Sequence, residues 1–325
     1  MDKSARSQLR RFASQMGSIL GLFLVILYIV VALAAPWLAP AHAGLNAADP
    51  LRVGQFNDFI AHPPSADSPL GTLPGQIDVY HSLVWGTRTA LLFGLMVAAC
   101  AAAFGLLFGA AGAYWGGWAN RLVLRTTDAF LAVPVVAGAY FCKQLLALFM
   151  IRAGFKIYLN GEIDTTGASP QLVSILMGIN PIMIGFILFS WMPYARLTNT
   201  LVLRLRQADF IQAARAVGAS PLYIVIRHLI PNVISPSITL AARDISMVVM
   251  LQATFQFIGL DSGFGWGKIL QLGRSYLIAP GGNILRYWWL YIPVTLAIVL
   301  FSVGWNLLGD GLNDRLNPRR NQVSL

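Results

Sequence analysis

Residues 16–35 read MGSILGLFLVILYIVVALAA, twenty positions without a charged side chain. A helix of ~20 apolar residues is long enough to cross the hydrocarbon core of a bilayer. The apolar positions are continuous rather than alternating, which argues against a strand of a membrane barrel. The run follows a basic tail, with Lys3, Arg6, Arg10 and Arg11 against Asp2, and it meets Pro36. Ala32-Leu33-Ala34 fits a signal-peptide cleavage pattern. The apolar core of a signal peptide is only about 7–15 residues, however. The run therefore reads as a first membrane span with its N-terminus in the cytoplasm.

The rest of the chain has the same character. Of 325 residues, 57% are hydrophobic and 11% charged. Soluble domains carry about 25% charged residues, and disordered chains are poorer still in apolar ones. Both classes are excluded. Further apolar runs cover 89–115, 126–151, 172–198, 230–258 and 288–308. The expectation is an all-α polytopic membrane protein with about six transmembrane helices. Its segments are a cytoplasmic tail (1–15), the first span (16–35), an extracytoplasmic segment (36–87), a five-helix core (88–310) and a C-terminal cytoplasmic tail (311–325). Gly116-Gly117 ends the second span, and Pro231 and Pro236 fall near the start of the fifth. A glycine-rich outer loop is expected over 259–285.

The net charge is +10. On a soluble protein such an excess would suggest nucleic acid as a partner. In a membrane protein, basic residues mark cytoplasmic loops instead, and no nucleic-acid partner is expected. The segments assigned to the cytoplasm hold fourteen Lys and Arg, against seven outside. Both termini are therefore placed inside. Tyr287, Trp288, Trp289 and Tyr291 cluster where the sixth span meets the outer interface, as an aromatic belt does.

Catalytic signatures are absent. No G-x-x-x-x-G-K-[ST] phosphate loop occurs, nor G-x-S-x-G, nor H-E-x-x-H. His42, His62, His81 and His228 are scattered, so no metal site is expected. Cys100 and Cys142 lie in apolar runs and read as small buried hydrophobes. Gly105-x-x-x-Gly109 is a candidate helix contact, because small residues let helices approach closely in lipid. Lys143, Arg243 and Asp244 are charges inside spans, where charge is costly and faces a bundle interior or water. They either line a translocation path or form a structural lock with charges on a partner subunit.

Ala208–Asn232, ADFIQAARAVGASPLYIVIRHLIPN, reads as two short helices joined by a tight turn. Phe210, Ala214 and Val217 fall on one apolar face at helical spacing. Gln212 and Arg215 project from another. Gly218 suits a left-handed helix end. Ser220 fits an N-cap, with Pro221 at the first helical position. A helix this short is marginal alone, so it docks on something, either the membrane surface or a cytosolic partner.

Gln212-Ala213-Ala214, Gly218 six residues after Gln212, and Pro231 thirteen after Gly218 resemble the EAA loop of ABC importer permeases. Other blocks resemble the C-type permease subunit of the dipeptide/oligopeptide/nickel branch. These include Pro69-Leu70-Gly71-Thr72, Gly86-Thr87-Arg88, Gly112–Trp118, Arg125-Thr126-Thr127-Asp128, Trp191–Arg196, Phe257–Leu260 and Asn306–Leu312, in family order. The resemblance implies a type I importer permease fold in a bacterial-type plasma (inner) membrane. It implies a heterodimer with a second permease subunit. Two cytosolic ATPase subunits, which hold ATP and Mg, and an extracytoplasmic substrate-binding protein complete the assembly. Carried over residue by residue, Gln212, Ala213, Ala214, Arg215, Gly218 and Pro231 belong to the ATPase-coupling loop, with a coupling helix over 208–219. This chain itself would be no enzyme and would bind no cofactor. The 259–285 segment would lie at the outer mouth, either reaching towards the binding protein or merely joining helices.

The chain departs from the pattern at four places. The leading Glu is Gln212, the GTD-x-x-GRD motif is degraded to Gly71-Thr72-Leu73 and Gly75–Asp78, a Glu before Phe257 is Gln252, and residues 152–171 look long. Peptides or a similar small solute are the expected cargo. Rival readings are an export permease of the same architecture, or a secondary transporter or channel with its own coupling.

Overall fold

A computed structural model describes residues 3–40, 51–52, 60–157, 163–164, 180–278, 282–283 and 285–316. The helices are α1 (Lys3–Leu38), α2 (Val79–Trp115), α3 (Gly117–Leu131), α4 (Val135–Arg152), α5 (Pro181–Leu188), α6 (Met192–Leu205), α7 (Asp209–Ala216), α8 (Pro221–Tyr223), α9 (Ile230–Phe257), α10 (Trp266–Gly273), α11 (Ser275–Ile278) and α12 (Ile292–Leu316). A π-helical stretch, Ile224–Leu229, joins α8 to α9. Strand content among the described residues is two short antiparallel pairs. Thr72–Leu73 (β1) lies on Ile77–Asp78 (β2), and Lys156–Ile157 (β3) on Ile163–Asp164 (β4). The protein is thus an all-α polytopic chain. Among the described residues, five helical segments are long and apolar enough to cross a membrane: Met16–Leu38, Val79–Trp115, Val135–Arg152, Pro221–Phe257 and Trp288–Asp314.

Several expected boundaries move, each for a physical reason. α1 runs past Pro36, because the Ala39 N–H closes the last turn on the Ala35 carbonyl at 2.9 Å. α2 begins ten residues before the apolar run at Thr89. Asp78 is its N-cap, accepting from the His81 N–H at 2.9 Å. The expected third span is broken. α3 ends at Leu131 and α4 starts after Pro134, whose extended ψ of 131° cannot continue a helix. The expected fourth span, 172–198, lies partly outside the described residues. Its described part is split into α5 and α6, with Pro193 in the first turn of the second helix. The last helix continues to Leu316, into the expected tail.

The chain forms two compact units, Met1–Leu95 with Ala242–Leu325, and Met96–Ala241. In the first, α1 and α12 pack antiparallel. A Cβ on Gly21 would lie 2.7 Å from the Leu308 nitrogen, and one on Gly304 would lie 2.9 Å from Leu24 Cβ. One turn further, the Tyr28 hydroxyl donates to the Ala297 carbonyl at 2.7 Å and its ring meets Phe301 edge-on. Thus the N-terminal part of α1 lies beside the C-terminal part of α12.

The expected outer loop contains two short helices, α10 and α11. In α10, Trp266, Ile269 and Gly273 share one buried face at i, i+3 and i+7. The Trp266 ring packs on Tyr28 and Phe301, and its Nε1 donates to the Leu83 carbonyl at 3.2 Å. Gly86 leaves room for it, since a Cβ there would lie 2.6 Å from the indole. Gly267 lies against the Ala253 carbonyl with no space for a side chain. These glycines serve close packing rather than flexibility.

The start of α2 is fastened to the end of α1. Trp85 Nε1 donates to the Ala39 carbonyl at 2.9 Å, and His81 Nε2 lies 3.0 Å from the Pro40 carbonyl. Burial opposes ionisation of the Asp78 carboxyl. The contacts with the His81 side chain and backbone outweigh it and hold the group below its ordinary value.

In the second unit the Gly105–Gly109 pair is a real helix contact. A Cβ on Gly105 would lie 2.5 Å from Tyr194 Cβ, and Gly109 touches the Ala195 carbonyl. Asn199 donates to the Gly109 carbonyl at 3.3 Å and to Asn120 Oδ1 at 2.6 Å. Phe104, Phe108, Phe130 and Trp191 form an aromatic cluster beside this contact.

Two stability tests follow from this packing. Gly109→Leu must push α6 off α2, whereas Gly117→Ala meets open space and only strains a φ of +52°. Gly109→Leu is therefore expected to lower the detergent melting temperature by more than Gly117→Ala. Equal melting temperatures would remove the helix contact. Asp78 has a lowered folded pKa, so its contribution is present above the unfolded carboxyl pKa and is lost as pH falls through the folded one. Asp78→Asn should flatten the acid limb of the melting-temperature profile; an unchanged limb would mean that other groups set it.

Candidate functional site

The candidate site is the corner from Arg206 to Val233. At the end of α6 the guanidinium of Arg206 reaches back to the last turn of α2. Its Nη1 donates to the carbonyls of Ala113 at 3.1 Å and Tyr114 at 3.3 Å. These are carbonyls that a helix end leaves without partners, and a cation there also suits the helix dipole. Gly116, at φ +69°, makes room: a Cβ there would lie 2.6 Å from Nη1.

The chain then turns at Gln207-Ala208 into α7. Asp209 sits in its first turn, where negative charge is favoured. Ile211 is fully buried in a cluster with Leu106, Ala110, Val202, Ile224 and Leu229, and Ala214 packs on it half-buried. The anchoring face of α7 is therefore Ile211 with Ala214. Of the three residues that share the apolar face at helical spacing, Ala214 packs here while Phe210 and Val217 are exposed, Val217 at 86%.

The other end of α7 closes as its sequence predicts. Gly218 has φ +83°. Its N–H donates to the Arg215 carbonyl at 2.9 Å, and the Ala219 N–H donates to the Ala214 carbonyl at 3.0 Å. This pair of bonds is a Schellman closure. Ser220 caps the next turn, its hydroxyl accepting from the Tyr223 N–H at 3.3 Å, with Pro221 at the first helical position. Pro231 lies just inside α9. It follows the π-helical stretch, whose wider turn accommodates a residue that lacks an N–H.

Gln212 and Arg215 are both engaged within the chain. The Gln212 Nε2 donates to the Arg206 carbonyl at 3.3 Å, a bond a carboxylate would be unable to make. The Arg215 guanidinium lies over the Tyr114 ring at 5.1 Å. Gln212, Ala213, Arg215 and Gly218 all remain exposed. Beside them lie exposed apolar side chains, Phe210, Val217, Leu222, Tyr223 and Ile226. The two-turn corner thus presents small and apolar groups that no neighbour covers among the described residues.

Arg243 is paired with Asp310 of α12 within the chain, both about half exposed. No described contact decides between the path and the lock to a partner subunit. This pair is a feature of the chain itself. It borders an open cleft of about 360 Å³ lined by Ser18, Asn313 and Asp314, among others. Asp244 is half-buried next to it in α9, and Lys143 is half-buried in α4 of the other unit. A second pair, Arg196 with Asp128, ties α6 to α3. Sequence reasoning missed Asp310, Asp128 and Arg206 as partners. All three stand in or beside the quoted blocks, which was the only signal available.

Residues 101–322 match the family described as "Binding-protein-dependent transport system inner membrane component". Residues 5–51 match "N-terminal TM domain of oligopeptide transport permease C". A putative peptide transport system permease protein of Brucella suis biovar 1 is 28% identical, covering 95% of this chain and 90% of its own length. A probable D,D-dipeptide transport system permease protein of Escherichia coli K12 is 29% identical over 91% of this chain and 85% of its own. A glutathione transport system permease protein of Shigella dysenteriae serotype 1 is 30% identical over 95% and 89%. On this match and this helical architecture, the chain belongs to the family of inner-membrane permease components of binding-protein-dependent transport systems.

Proposed function

We propose that this chain forms half of an import path for peptides or a similar small solute, paired with a second permease subunit. Two cytosolic ATPase subunits, holding ATP and Mg, drive it, and an extracytoplasmic binding protein delivers the cargo. One observation carries this reading: α7 is folded against its own unit through Ile211 while Ala213, Val217 and Leu222 stay uncovered. Such a corner suits insertion into a cleft of an ATPase. The relatives' names, peptide, dipeptide and glutathione transport systems, support the cargo class. Lys143 and Asp244 are the candidate path residues. Arg243, held by Asp310, serves as an internal lock.

Ala213→Arg and Val217→Asp alter exposed positions only. Both are expected to reduce ATPase retention in a detergent pull-down at least tenfold and to abolish ATP-driven uptake, with membrane insertion unchanged. Gly218→Val strains the turn by ~1–2 kcal/mol and should act in the same direction. Full retention and uptake in all three would rule out coupling through this corner.

The orientation is tested on a background carrying Cys100→Ala and Cys142→Ala. Ser65→Cys should react with an impermeant thiol reagent on intact cells, and Ser220→Cys only after permeabilisation. The reverse pattern would invert the topology.

A further inference from the structure

Tyr114 is gripped from two sides. Its carbonyl accepts from Arg206, which stands at the end of α6, and its ring lies under Arg215, in the last turn of α7. Arg206 is itself held to α7, since its carbonyl accepts from Gln212. The three contacts close a ring: α7 to Arg206 through Gln212, Arg206 to α2 through Ala113 and Tyr114, and Tyr114 back to α7 through Arg215. Gly116 supplies the space this requires, and Gly112 lets Val123 of α3 close on the same turn, with a Cβ there 2.7 Å from its Cγ2. Among the described residues, α7 also meets its unit through apolar packing of Ile211 and Ala214 and through the Phe210 ring beside His228. Apolar contacts slide easily, whereas a charge-assisted bond to two carbonyls fixes direction.

We propose that Tyr114 is the point at which displacement of α7 is passed to the transmembrane helix α2, with Arg206 as the positioning residue that holds the joint. This rests on the reading of α7 as the ATPase-docking helix. An ATPase that moves α7 then drags the last turn of α2 with it, instead of sliding along its side. Tyr114 needs an aromatic ring but no hydroxyl, and Arg206 needs a guanidinium.

The test uses the full complex with its ATPases, on the background lacking Cys100 and Cys142. An environment-sensitive fluorophore is placed either at Asp209→Cys, exposed in the first turn of α7, or at Leu107→Cys, exposed on α2. ATP with vanadate should shift both signals in the parent. In Tyr114→Leu and in Arg206→Gln, the α7 signal should persist while the α2 signal falls at least fivefold. Tyr114→Phe should restore it. Persistence of both signals in Tyr114→Leu and Arg206→Gln overturns the proposal. Loss of both with ATPase retention also lost overturns it too, because the residues would then only hold the corner in shape. No response at either position in the parent would instead count against the docking reading itself.

Discussion

Close approach of helices through missing side chains is the constraint on which the other contacts depend. In hydrocarbon, apolar side chains gain little by leaving lipid for one another, so helices associate through packing and interhelical hydrogen bonds. Both need short distances. Gly105 and Gly109 bring α6 onto α2, and only then does Asn199 reach the Gly109 carbonyl and Asn120. Gly21 and Gly304 bring α1 onto α12, and Tyr28 then reaches the Ala297 carbonyl. Gly116 admits the Arg206 guanidinium to the end of α2. In each case a glycine creates the proximity and a polar side chain uses it.

The irregular backbone is placed with the same economy. Pro134 separates α3 from α4, and Pro193 begins α6 after a break. Within a bilayer, backbone groups freed by such breaks must find partners in the protein. The Ala132 N–H bonds the Asp128 carbonyl at 3.1 Å, and the Phe189 N–H bonds the Gly185 carbonyl at 3.0 Å. The π-helical stretch before Pro231 solves a related problem without ending the helix. The long run from Pro221 to Phe257 therefore stays continuous.

Local chemistry was legible in the sequence, and tertiary choice was not. Gly218, Ser220 and Pro221 each satisfy a need set by the next few residues, so turn, cap and helix start were all readable. The buried face of α7 depends on what α2 and α9 offer it; helical spacing groups Phe210, Ala214 and Val217, of which Ala214 packs beside the buried Ile211 while the other two are exposed. The glycines at 263–267 carry the same composition whether they loosen a loop or admit a neighbouring backbone. Trp266 and Ile269, three apart, were the overlooked sign of a packed helix. The start of α2 was misplaced because its first turns are polar and its N-cap, Asp78, stood in a motif read only as degraded. Arg243 and Asp310 lie 67 positions apart, beyond any local rule.

The substitution at Gln212 illustrates how a departure from a family pattern can be internally consistent. A glutamate at this position would face the Arg206 carbonyl with a second acceptor. The amide donates to it instead. The neighbouring charge, Arg215, is directed at an aromatic face rather than at an acid. The exposed surface of the corner therefore combines small and apolar groups, Ala213, Val217, Leu222 and Ile226, with the charged side chains of Asp209, Arg215 and Arg227.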